Sequence, residues 1–161
     1  MTTAARWIRI EPDGAPAMRA ACAGFARVQG AQAAPAVLWA RLGEGRHTYG
    51  VVAPLKHVPG RSRRWGAWAL APLVAAYRRL GLSAYHDADR ICLSGQPITD
   101  VTVLAVGDCA VIVADFAAWG ADFVEALRQR IEAQYGWQFD HSWLSPDERA
   151  ALAGAPAAAP D

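Results

Sequence analysis

Apolar residues along this chain follow two rhythms. Trp7-Ile8-Arg9-Ile10 alternates as a short strand, ended by the turn Glu11-Pro12-Asp13-Gly14. From about Ala15 to Gln29 the spacing changes to threes and fours. Met18, Cys22 and Phe25, with Ala21, share one helical face, and Gly30 lies beyond its end. Val37 to Ala40 and Thr48 to Ala53 read as strands, and the glycines of Gly43-Glu44-Gly45 between them permit a tight antiparallel reversal. Pro54 to Ser62 reads as a loop. Trp65, Trp68, Ala69, Pro72, Leu73, Ala76, Tyr77 and Leu80 then predict a second helix, with Gly81 as its stop.

The strand rhythm returns in Ile91 to Leu93, Ile98 to Val106 and Cys109 to Ala114, separated by Ser94-Gly95-Gln96-Pro97 and by Gly107-Asp108. Two short turns in succession imply an antiparallel meander, because parallel strands need a long crossover. Val103 to Val106 should pair with Cys109 to Ile112, leaving Asp108 exposed in a two-residue loop. Cys109, Val111 and Val113 then share one face and Ala110, Ile112 and Ala114 the other. Both faces are apolar, so alternation does not choose between them. Phe123, Leu127, Ile131 and Tyr135 space a third helix. Ser145-Pro146-Asp147-Glu148 is a capping box with proline at the first helical position, opening a short helix that reaches about Leu152. Strands in meanders interrupted by helices predict an α+β fold, with a mixed or antiparallel sheet and helices mainly on one face.

The 161 residues suit one domain, read as 1–152 with a disordered Ala/Pro tail at 153–161. A formal net charge of +1 provides no overall field for nucleic acid. No apolar run approaches the ~18 residues of a membrane span, and the N-terminus lacks the pattern of a signal peptide, so the expected location is cytoplasmic. Cys22, Cys92 and Cys109 are far apart and lack metal-ligand spacing, which predicts neither disulfide nor metal, and no cofactor motif is present.

Asp89 to Asp100, read with the order of the preceding elements, resembles a segment of the biotin/lipoate protein ligase family. In that family the segment runs Asp, a few apolar residues, Gly-x-Lys-Ile-x-Gly, and its lysine holds the carboxylate and phosphate of an acyl-adenylate. This chain has Asp89, Gly95 and Ile98 in place, but Pro97 stands where the lysine would be and Asp100 where the last glycine would be. Gly14 with Met18, Val37-Leu38-Trp39, Thr48 to Val52, Leu80-Gly81-Leu82 and Asp115-Phe116 follow the family order. The family's Arg-Arg-x-x-Gly-Gly-Gly cradle should lie between the Leu38 and Tyr49 strands, where only Arg41 to His47 remains. Proline offers an anion neither charge nor N–H. The resemblance therefore implies the fold and, in the same residues, the loss of adenylation.

Arg61-Ser62-Arg63-Arg64-Trp65 is a candidate anion site. Its arginines crowd a helix N-terminus whose dipole favours negative charge, and a bound anion would relieve that conflict. With Asp89, Gly95 and Pro97 they outline a groove for a small acyl ligand or a lipoyl-type carrier domain. The rival is an ATP-independent acyltransferase with Cys109 as nucleophile and His86 as base, although cysteine on a buried strand is ordinarily core and His86 ordinarily a solvated loop residue. A third alternative is one subunit of a split ligase whose partner supplies the missing loop and lysine. The aromatic run Trp137 to Leu144 reads as a satellite of the core.

Overall fold

The computed structural model describes residues 2–43, 45–87, 90–117, 122–140 and 143–152. Within them the main sheet has the order β7-β8-β3-β2-β1-β9. Its strands are β1 (Thr3–Arg9), β2 (Ala36–Gly43), β3 (Arg46–Pro54), β7 (Thr99–Val106), β8 (Cys109–Ala117) and β9 (Trp137–Asp140). β2, β3, β8 and β7 pair antiparallel in series, whereas β1 lies parallel to both β2 and β9. The parallel β1 and β2 pair is made by α1 (Ala15–Arg27), which supplies the crossover that parallel strands require. A small sheet of β4 (Tyr85–Asp87), β5 (Arg90–Leu93) and β6 (Gln96–Pro97) stands beside it.

The meander forms as its turns predict. Val106 pairs with Cys109 and Val103 with Ile112, and Asp108 is exposed. The apolar character of both faces of β8 has a different outcome from one-sided packing. Cys109, Val111 and Val113 face α1, with Met18, Cys22 and Phe25. Ala110, Ile112 and Ala114 face α2 (Trp65–Arg79) and α3 (Asp122–Tyr135), with Leu73, Tyr77, Phe123 and Leu127. Helices thus cover the sheet on both sides, and a strand buried on both faces has no polar stripe.

β9 and β4 are elements that the apolar spacing does not reveal. Trp137 and Phe139 of β9 are buried in the α2/α3-side core, as a core reading of the aromatics implies, while Trp143 is exposed. The tail 153–161 and His141 lie outside the described residues.

Pro72 lies inside α2 and lacks the N–H that would close the bond to the carbonyl of Trp68. The Tyr135 hydroxyl of α3 donates to that carbonyl at 2.6 Å, and the Tyr135 ring stacks on Trp68 at 4.3 Å. A defect in one helix thus becomes the joint to the next. Tyr135→Phe leaves the carbonyl without its donor and is expected to lower stability by about 1–2 kcal/mol in urea denaturation. An unchanged midpoint would show that another group satisfies it.

α4 (Pro146–Ala151) begins at the predicted capping box: the Ser145 Oγ accepts from the Glu148 N–H, and the Ser145 N–H donates to Glu148 Oε1. Glu148 also reaches back to β1. Arg6 donates Nη1 to its Oε2 at 2.6 Å and Nη2 to its Oε1 at 3.0 Å, and Gln29 donates to Oε2 at 2.7 Å.

Candidate functional site

The family-like segment folds as a hairpin. Leu93 pairs with Gln96 and Cys92 with Pro97 across the turn Ser94-Gly95, whose φ angles are 51° and 78°. Positive φ at both central positions is the requirement of the tight hairpin turn that follows strand twist, and Gly95 meets it without strain. Gly95 thereby has a complete structural role, while Pro97 is exposed on β6 and presents only its ring. The chain then enters β7, anchored where the Thr99 Oγ1 accepts the Ile91 N–H at 2.9 Å. Asp89 lies outside the described residues.

Where this segment meets the main sheet, three adjacent strands place polar residues in line. Asp100 of β7 pairs with Asp115 of β8, which pairs with Thr48 of β3. Direct cross-strand partners point to one face, so the two carboxylates are neighbours, an arrangement that costs stability. Among the described residues neither side chain has a partner for one oxygen: Asp115 is 8% exposed with Oδ1 unsatisfied, and Thr48 is fully buried with Oγ1 unsatisfied. The 107–108 turn sets this register, but the apolar run that marks β8 in the sequence ends at Ala114, so Asp115 falls outside the predicted strand.

β2 and β3 are joined directly, with Arg41 opposite His47 and Gly43 opposite Arg46. The pairing shifts register between Arg41 and Gly43, and only two residues separate the paired Gly43 and Arg46, too short a span for a glycine-rich cradle. His47 stacks on Phe116 at 5.8 Å, and burial, then the Arg41 charge, lower its pKa.

Arg61, Arg63 and Arg64 are exposed on a 3-10 turn over Ser62–Arg64 that runs into α2. Trp65 departs from the binding surface expected of it. It is 6% exposed within the α2/α3-side core, and its indole donates to the Pro59 carbonyl at 2.7 Å. Its apolar area is worth more in the core than beside a solvated ligand.

Cys109 and His86 are not brought together. Cys109 is fully buried on the α1 side, and burial, then the Asp108 charge, push its thiol up and away from the nucleophilic thiolate. His86, exposed on β4, belongs to the opposite side with α2 and α3. The thickness of the sheet separates nucleophile from base. Burial pushes the Cys22 thiol up to about 12. Among the described residues no group of three or more His, Cys, Asp or Glu has the arrangement of a metal site.

His86 instead lines an open hollow of about 530 Å³ between α2 and α3, together with Ala71, Val74, Ala75, Arg78, Arg79, Arg130 and Gln134. Residue spacing does not reveal it because α3 is separated from α2 and β4 by the whole β7 and β8 meander and meets them only through packing. Among the described residues no helix is long and apolar enough to cross a membrane.

No protein-family model matches the chain, and no curated protein matches it in sequence. Solved structures do match it in shape. A chain of the Thermoplasma acidophilum bi-partite lipoate protein ligase, solved with its E2 lipoyl domain, superposes with a TM-score of 0.79 at 11% identity, covering 93% of this chain and 91% of that one. A lipoate-protein ligase A bound with ATP gives a TM-score of 0.77 at 12% identity over 94% of this chain and 93% of the other. The Helicobacter pylori biotin acetyl coenzyme A carboxylase synthetase with bound biotinylated ATP gives 0.60 at 14% identity, covering 82% and 75%. The chain therefore has the fold of the lipoate-protein and biotin protein ligases.

Proposed function

We propose that this chain is a non-adenylating protein of the ligase fold that recognises an acyl group or a lipoyl-type carrier domain. What supports the reading is the charge around the segment where the resemblance would put the acyl-adenylate lysine. Pro97 is exposed and uncharged, and the strand that follows brings Asp100 beside Asp115. Two carboxylates oppose the negative charge that develops on phosphate and carboxylate, where stabilising that charge is the dominant catalytic term. The direct β2 and β3 hairpin removes the second source of stabilisation. Binding without activation is what remains.

The bi-partite neighbour with its E2 lipoyl domain favours a second reading, in which this chain is one subunit of a split ligase and a partner subunit supplies the cradle and the lysine. The isolated chain behaves identically under both readings.

Pyrophosphate exchange with lipoate, octanoate or biotin is expected to be at background for the chain alone and for Pro97→Lys, because one lysine does not rebuild the cradle. Exchange dependent on any of these acids would overturn the proposal. The same sample, incubated with an acyl thioester and weighed intact, is expected to carry no adduct. An adduct on Cys109 would favour the acyltransferase.

A further inference from the structure

The hollow at His86 has an unusual lining. Successive turns of α2 present Ala71, Val74 and Ala75 as an apolar floor and then Arg78 and Arg79; α3 adds Arg130 and Gln134, one turn apart, and β4 adds His86. Among the described residues no carboxylate lines it. The whole chain carries a formal charge of only +1, so three arginines around one hollow are a local concentration of charge. Arg78 and Arg79 alone have an ordinary explanation, since they end α2 where its dipole favours cations. Arg130 does not share it: it lies before the last turn of α3, and its Nε is buried without a hydrogen-bond partner among the described residues. The Arg78 Nε donates to the Ala84 carbonyl at 2.9 Å, which holds that side chain in place beside the hollow.

The shape selects among anions. The helices contribute their flanks and not their N-termini, so there is no backbone N–H cradle of the kind that holds a free phosphate. Nucleic acid calls for a continuous cationic track, whereas the exposed arginine cluster Arg61, Arg63 and Arg64 stands at the opposite end of a helix about 22 Å long. An open hollow with an apolar floor and cationic walls suits an amphipathic protein segment.

We propose that this hollow docks an acidic segment of a partner protein, with one apolar side chain on Ala71, Val74 and Ala75 and flanking carboxylates on Arg78, Arg79 and Arg130. The inference rests on the partner-recognition part of the proposed function and gives that partner a surface.

The test titrates the full chain at low salt with a fluorescent Glu-Asp-Leu-Ile-Glu-Asp peptide, its Gln/Asn analogue, and an acidic analogue with serines for Leu-Ile. The first peptide is expected to bind, and each analogue to bind about tenfold more weakly or worse. Arg79→Glu/Arg130→Glu should abolish binding, and Arg79→Lys/Arg130→Lys should retain part of it. If the charge-reversed variant does not fold, Arg79→Gln alone should still weaken binding. Absence of peptide binding, binding unchanged in these variants, or tighter binding of inorganic phosphate or of a single-stranded oligonucleotide at the same residues would overturn the proposal. An isolated lipoyl-type domain separates the two levels. If it binds equally to wild type and to Arg79→Glu/Arg130→Glu, carrier recognition stands and this surface falls. If the peptide binds through the arginines and the domain does not, the surface stands and the carrier reading falls.

Discussion

Glu148→Ala is expected to cost about 3 kcal/mol of stability at neutral pH, seen as a fall in Tm of roughly 6–12 °C. Glu148 is 8% exposed and accepts from Arg6, from Gln29 and from the Ser145 N–H, so one carboxylate joins β1, the segment just after α1, and the start of α4. Alanine keeps the bond from the backbone N–H of position 148 to Ser145 Oγ but removes the acceptor of the Ser145 N–H, and with it a charge that neutralises a largely buried Arg6 guanidinium. Burial pushes the Glu148 carboxyl up, but the hydrogen bonds of Arg6, Ser145 and Gln29 and the Arg6 charge outweigh it and hold the pKa at about 2, against 4.5 when unperturbed. A depressed carboxylate stabilises the fold above its unfolded pKa. The contribution is therefore complete above about pH 5 and fades as pH falls through 4.5 toward 2. Urea denaturation of wild type and variant across that range should show the two curves converging in acid. A difference that stays constant with pH would place the stabilisation in packing and not in the charge.

Gly50→Ala is the second large effect, about 2–3 kcal/mol. Gly50 lies in the central strand β3, where an added Cβ would stand 2.4 Å from the buried Cys22 Sγ of α1. β3 is held on both sides by β2 and β8, so it cannot withdraw, and relief must come from turning Cys22 or lifting α1 off the sheet. Cys22→Ala opens that space at a cost of about 1 kcal/mol. The double variant Gly50→Ala/Cys22→Ala should then be more stable than Gly50→Ala alone. Penalties that simply add would mean the sulfur is not the obstacle.

Most of the architecture could be read from residue spacing, because each of the longer helices carries a full apolar stripe and the 107–108 turn can join its strands in only one way. The four-residue β9 could not. Its Trp137 and Phe139 become a strand only by pairing with β1 at the far end of the sequence. Two-sided coverage of the sheet was implicit in the unbroken apolar run of β8, but such a run looks the same whether one helix layer or two will cover it. At the candidate site, Pro97 and the short β2 and β3 connection were visible as departures from a pattern. The carboxylate pair Asp100 and Asp115 was not, since the apolar run that marks β8 ends at Ala114, one residue short of Asp115, and the arginine hollow was not, since helix packing creates it.

The order of synthesis gives β1 a particular exposure. It enters the sheet between β2 and β9, and its Arg6 meets Glu148 across a separation of 142 positions. A ribosome delivers β1 and β2 long before β9, so until Trp137 has emerged one edge of β1 presents unpaired N–H and C=O groups beside the uncovered ring of Trp7. Closing so long a loop costs chain entropy that no local contact repays, which places the docking of β9 and α4 among the late events of folding. A nascent chain paused before Trp137 therefore holds a sheet complete on the β7 side and open on the β1 side. That open edge is the part of the molecule on which a chaperone, or a second unfinished chain, would first act.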